Sequence, residues 1–253
     1  MFPKLRLLVL SVILSSASAL AGPAPTIYMV GDSTMSNYPT SGDNPQRGWG
    51  QYVEELFTGG VKVENHAAAG RSTKSFQTEN RWRPVVDKLQ AGDWVIIQFG
   101  HNDQKKDKPD VYAPADTDYK TNLTKFVKDT QAKGANPIIA TSIYRLYFDE
   151  AGKPKSTAGA YPQAARDVAK ELNVPLVDLH KLTEAQLAKL GEEGAKPYFL
   201  FYAAGEVKSH PEGKSDKTHL NEKGAKWIAG LFAQGLRETK APLADSLKPD
   251  AGK

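Results

Sequence analysis

The sequence contains no cysteine, which removes disulfides, thiolate metal ligands and a cysteine nucleophile at once. It also lacks a charge excess of either sign. Its 33 basic and 29 acidic residues give +4, and Lys4 and Arg6, near the start, supply two of those charges. The remaining Lys and Arg are interleaved with Asp and Glu and form no basic stripe, so no nucleic-acid partner is expected. Long apolar runs are scarce. The clearest, residues 7–14, follows Lys4 and Arg6 and leads into Ala19-Leu20-Ala21, the pattern of a cleavable signal peptide over residues 1–21. That run is well short of the roughly 20 apolar residues of a membrane span. The expectation is a secreted or periplasmic protein with no membrane attachment after cleavage. There is no H-E-x-x-H, no G-x-S-x-G elbow, no internal repeat and no interdomain linker.

About 230 residues follow the signal, enough for one large domain with a full core. Residues 22–239 read as that domain. Residues 240–253, with their prolines and lysines, read as a flexible tail. Short apolar strands alternate with amphipathic segments: strands at 26–30, 61–65, 93–99, 137–143 and 175–179; helices at 48–57, 82–90, 119–133, 160–172, about 180–190 and 222–237. The stretches 104–118, 147–157 and 197–216 read as irregular. Five strands alternating with helices predict an α/β fold, a parallel sheet covered on both faces. Ligands of such sheets bind beyond the carboxyl ends of the strands, where the strand order reverses. The loops carrying Ser33, Gly70 and Asn102 all lie at strand ends.

Ser33 ends the apolar run Ile27-Tyr28-Met29-Val30 in Gly31-Asp32-Ser33-Thr34, and Asp216-Lys217-Thr218-His219 stands before the last helix. A serine needs a base to act as a nucleophile at neutral pH, and the base needs a group that fixes its tautomer. Asp216, three residues before His219, is within reach of its ring in a turn. Acyl transfer also needs neutral donors aimed at the developing oxyanion. The backbone N–H groups of Ser33 and Gly70 and the side-chain amide of Asn102 are suited to that task. Taken singly, Ser33 reads equally well as a helix cap, Gly70 as a turn residue and Asn102 as a loop anchor. Asp32 and Asp103 read as loop anchors. His66, His101 and the side chains of Arg71, Arg81, Trp82 and Arg145 are possible contacts for a sugar or uronate, though none is assigned.

In order, Gly31-Asp32-Ser33, Gly70, Gly100-His101-Asn102-Asp103 and Asp216–His219 resemble the four blocks of the SGNH (GDSL-type) hydrolases, with Thr34 where many relatives carry leucine. With 65–73 (NHAAAGRST) and the Leu-Asn-Glu-Lys-Gly-Ala that follows His219, the chain resembles their rhamnogalacturonan acetylesterase branch. The resemblance implies a flavodoxin-like three-layer α/β/α sandwich with a five-stranded parallel sheet. It implies deacetylation of a pectic polysaccharide or oligosaccharide through a serine acyl-enzyme, without metal or other cofactor. Ser33 would be the nucleophile, His219 the base, Asp216 its partner, and Ser33, Gly70 and Asn102 the oxyanion hole. The alternatives are an acetylesterase acting on xylan or another polysaccharide, a metal-dependent phosphoesterase using Asp32, His101, Asp103, Asp216 and His219, a non-catalytic sugar-binding module, and a lipase. The polar loops and absent elbow argue against the last.

Overall fold

A computed structural model describes residues 24–252; the expected signal peptide lies outside them. Strands β1 (Thr26–Gly31), β2 (Lys62–Asn65), β3 (Trp94–Gln98), β4 (Asn136–Ala140) and β5 (Leu176–Val177) form one sheet in the order β2-β1-β3-β4-β5. All four pairings are parallel. Alternation within the strands explains why they read as unbroken apolar runs. Ile27, Met29, Ile96 and Ile138 point into one core, and Tyr28, Val30, Val95, Ile97 and Ile139 into the other, as the twofold period of a strand requires.

Helices α1 (Thr73–Thr78), α2 (Trp82–Lys88), α3 (Lys120–Ala132) and α4 (Tyr161–Glu171) cover the second face through Phe76, Val85, Phe126 and Val168. Helices α5 (Leu179–Ala195, bent at Gly191) and α6 (Glu222–Thr239) cover the first through Leu187, Ile228 and Phe232. The molecule is a three-layer α/β/α sandwich with the strand order of flavodoxin-like sheets. Order reverses between β1 and β3, so the loops after those two strands flank the crevice where such folds take their ligands.

Three expectations are corrected. Residues 48–57 form two short 3-10 turns (Trp49–Tyr52 and Glu54–Leu56) rather than an α-helix. The backbone closes on the third residue back, with Gln51 N–H on Gly48 O, Val53 N–H on Gly50 O and Leu56 N–H on Val53 O. Trp49 N–H on Thr34 O (2.9 Å) and the Gln51 amide on Gly48 and Tyr38 tie the start of the segment to the Ser33 turn. Part of 197–216, expected to be irregular, pairs as an antiparallel hairpin, β6 (Phe199–Tyr202) with β7 (Lys214–Leu220). The tail is also docked. Pro242–Ser246 forms a 3-10 turn, and Leu243, Leu247 and Ala251 are buried against the α6 face. Lys248 N–H donates to Leu56 O, and Arg237 donates to the carbonyls of Lys248 and Ala251. Its apolar residues recur every four positions, a signal outweighed in the sequence by the neighbouring prolines and lysines.

Candidate active site

The end of β1 is closely packed: a side chain at Gly31 would place its first carbon 2.7 Å from Gln98 O. One residue on, Asp32 accepts from Thr34 N–H and Thr34 Oγ1 at 2.9 and 2.8 Å. Met35 and Ser36 N–H close a turn on Asp32 O. The turn holds Ser33 at the sheet rim, and Tyr38 Oη donates to its carbonyl at 2.9 Å. Thr34, where leucine is common, also accepts from Gln98 Nε2, and Gln98 Oε1 accepts from Trp49 Nε1. This buried polar chain ties the Ser33 turn to β3. Asp32 is fully buried, which alone would raise its pKa. The His101 ring, 3.4 Å from Oδ2, and the two Thr34 hydrogen bonds outweigh burial and hold the carboxyl below its ordinary range.

His219 comes from the hairpin. Phe199 pairs with Leu220 and the next residue, Leu200, pairs with Asp216, so residues 217–219 bulge out of the ladder. The Asp216 carboxylate holds this bulge. Its Oδ1 accepts from the backbone N–H groups of Thr218 (2.9 Å) and His219 (3.0 Å), while Oδ2 bonds His219 Nδ1 at 2.8 Å. The other ring nitrogen, Nε2, lies 2.9 Å from Ser33 Oγ. Burial pulls the Asp216 carboxyl upward, but the imidazole and the two N–H donors outweigh it and hold it well below the usual carboxylate range. The acid is thus kept ionised beside the ring, and the ring keeps one nitrogen free for the hydroxyl.

The loop after β3 supplies Asn102, buried, with Nδ2 donating to Arg71 O (2.9 Å) and Oδ1 accepting from Lys105 Nζ (2.6 Å). Ser33, His101, Asn102, Lys105, Arg145 and His219 share a cleft of about 260 Å³, rimmed by Tyr147, Thr157 and Thr218. Gly70 is not in its lining. It stands exposed at φ +80, in a turn that Arg71 N–H closes on Ala68 O, a conformation suited to glycine. The Asn102–Arg71 bond joins this turn to the site.

The other expected contacts separate. Trp82 is buried, its Nε1 donating to Asp129, and Arg71 and Arg81 both pair with Glu79. His66 pairs with Glu64, whereas His101 bonds Ile143 O and faces Asp32. Asp103 accepts from Thr73 N–H and Oγ1. Among the described residues no three His, Asp or Glu side chains are placed to hold a metal ion; the five proposed for a metallophosphoesterase are spread over separate contacts. Lys105, Tyr147, Thr157 and Thr218 are cleft residues the sequence did not single out. Lys105 stands among lysines of a polar loop, and nothing in its spacing separates it from them.

The GDSL-like lipase/acylhydrolase family model matches residues 29–227. The rhamnogalacturonan acetylesterase RhgT of Bacillus subtilis is 41% identical over 227 residues, which is 90% of this chain and 96% of that protein. The rhamnogalacturonan acetylesterase of Emericella nidulans is 29% identical over 94% of this chain and 95% of its own. Among solved structures, the Bacillus subtilis protein YxiM superposes with a TM-score of 0.72 at 26% identity, covering 87% of this chain and 58% of that one.

Proposed function

We propose, from the premise that the chain belongs to the GDSL-like lipase/acylhydrolase family, that it removes O-acetyl groups from a polysaccharide. Membership makes it a serine hydrolase acting on ester bonds. Acetylated rhamnogalacturonan is the substrate we propose first, because RhgT is named for that activity and shares 41% of its residues over nearly all of both chains. Such a polymer lies outside the cell, in keeping with the export expected from residues 1–21.

One observation carries the reading: the unbroken contact from Ser33 Oγ to His219 Nε2 and from His219 Nδ1 to Asp216. In the proposed reaction, Ser33 Oγ attacks the acetyl carbonyl while His219 Nε2 takes its proton. Asp216 fixes the tautomer and steadies the imidazolium. Negative charge gathers on the carbonyl oxygen and meets the Ser33 N–H and an Nδ2–H of Asn102. The Gly70 N–H, the third donor that the family resemblance implies, belongs to a turn outside the cleft lining that the Asn102–Arg71 bond joins to the site. Each such donor typically lowers the barrier by ~3 kcal/mol. The sugar hydroxyl leaves with the proton from His219. A water, deprotonated by the same nitrogen, then attacks acetyl-Ser33 and releases acetate.

The test is acetate release from acetylated rhamnogalacturonan and acetylated xylan, by the intact enzyme and by Ser33→Ala. The expected loss in the variant is on the order of 10⁴-fold or more, with unchanged circular dichroism. Comparable release by the variant would remove Ser33 from the chemistry. Release from xylan alone would replace the pectic substrate.

A further inference from the structure

The cleft beside Ser33 holds two cationic side chains, Arg145 and Lys105. Neither has an acidic side chain within 4 Å among the described residues, unlike Arg71, Arg81, Arg83, Arg166, Lys120 or Lys217. The partners of Arg145 are all neutral. Nη1 donates to Thr157 Oγ1 at 3.1 Å and Nη2 to His101 O at 3.3 Å. Gln104, with its amide turned to satisfy its neighbours, accepts from both terminal nitrogens at 2.7 Å and donates to Thr157 O at 2.8 Å. The guanidinium is therefore held firmly and its charge is left uncompensated. The acids whose charge reaches it, Asp32 and Asp216, are already engaged by His101 with Thr34 and by His219.

Lys105 spends one of its three ammonium hydrogens on Asn102 Oδ1. Two of its hydrogens and the Arg145 Nε–H remain uncommitted. Tyr147, the one large apolar side chain left exposed among the described residues, also lines the cleft, with Lys217 Nζ 5.0 Å from its ring centroid. An aromatic ring beside polar donors is the arrangement that seats a sugar ring. Two like charges kept together in a half-buried cleft, without a protein counter-ion, are unfavourable in the empty site. A bound anion removes that cost.

We propose that Arg145 and Lys105, with Tyr147 as platform, form a subsite for the carboxylate of a uronate. The enzyme would then select acetylated acidic glycans over neutral ones at the ester-bearing residue or its neighbour. This rests on the glycan-deacetylase reading above and narrows it to acidic substrates. Arg145 is the specificity determinant. Lys105 adds charge and positions the Asn102 amide.

The test compares kcat/KM for acetate release from an acetylated galacturonate-containing oligosaccharide and from the same oligosaccharide with its carboxyls reduced to alcohols. The ratio of the two is read for each protein, so that any general loss of activity cancels. The intact enzyme should favour the acidic form, and the preference should shrink with added salt. Arg145→Gln should lower the ratio about tenfold or more, mostly through KM, as loss of a charge-assisted contact requires. Arg145→Lys should restore part of it. An intact enzyme with no preference, or a ratio unmoved by Arg145→Gln, overturns the proposal.

A second readout does not depend on the glycan reading. Unacetylated oligogalacturonate should inhibit hydrolysis of 4-nitrophenyl acetate by the intact enzyme, with an inhibition constant about tenfold higher in Arg145→Gln. If neither oligosaccharide releases acetate, the glycan-deacetylase reading fails, and the subsite is decided by this inhibition. No inhibition, or equal inhibition of both proteins, overturns the subsite.

Discussion

Asp103 sits one position after Asn102 and is wholly buried. Its Oδ1 accepts two hydrogen bonds from Thr73, while Oδ2 has no hydrogen-bond partner among the described residues. Burial pushes its pKa up to about 7, with the Thr73 bonds offsetting only part. The unfolded chain releases this proton near pH 4, and the folded protein holds it to about 7. Across that window the folded state binds more protons, so this group's contribution to stability falls as pH rises. Asp103→Asn keeps the Thr73 acceptor and cannot ionise. It should therefore gain stability relative to the parent protein between pH 5 and pH 8, read by urea denaturation at both; an unchanged or opposite difference contradicts the assignment. At this scale Ser33, Asn102, Asp216 and His219 were legible because each stands in a short motif at a strand end or before a helix. Arg145 is one of several arginines the sequence offers as contacts, and only the packing separates it from Arg71 and Arg81, which share Glu79 as their ion-pair partner.

Among the elements, the hairpin shows where periodicity runs out. β7 reads Lys-Ser-Asp-Lys-Thr-His-Leu, and only Leu220 in it is buried. A strand with no apolar face gives no alternation to detect. The bulge at 217–219 then breaks what pairing rhythm remains. Helix α6, by contrast, was legible to within two residues, because Asn221 caps it by accepting from Gly224 N–H and an apolar stripe follows. Its first turn meets the 3-10 turn Lys196–Tyr198 closely: a side chain at Gly224 would place its first carbon 1.8 Å from Tyr198 O, while at Gly230 the nearest atom is 3.5 Å away. Gly224→Ala should destabilise by about 1–3 kcal/mol, the overpacking term exceeding the ~1 kcal/mol gain in helix propensity. Gly230→Ala should be neutral or gain up to ~1 kcal/mol. Denaturation midpoints of the two variants decide it; equal effects would mean that the contact yields freely.

At the scale of the whole molecule, strand alternation and continuous apolar runs were enough to predict the layered parallel sheet, because both faces of each central strand are buried. The tail was misread for the opposite reason: three apolar residues spread over nine positions carry little weight beside two prolines. Yet Leu243 and Leu247 are 2% and 7% exposed and pack with Phe57 and α6. Removing residues 241–253 forfeits that burial, about 1.5–3 kcal/mol for each leucine. The melting temperature should drop on the order of 10 °C. A melting curve that does not move would mean the tail contributes nothing to the core.

The proposed machinery is divided between two supports. Ser33 rides on the central sheet, whereas Asp216 and His219 share one bulged turn whose internal bonds set their mutual alignment. Leu146 N–H, donating to Lys217 O at 2.8 Å, pins that turn to the loop after β4. Between the two supports, the reacting groups meet in the 2.9 Å contact of hydroxyl and imidazole. Because carboxylate and ring are carried by the same turn, any shift of that turn relative to the sheet moves them together and leaves the Asp216–His219 bond intact.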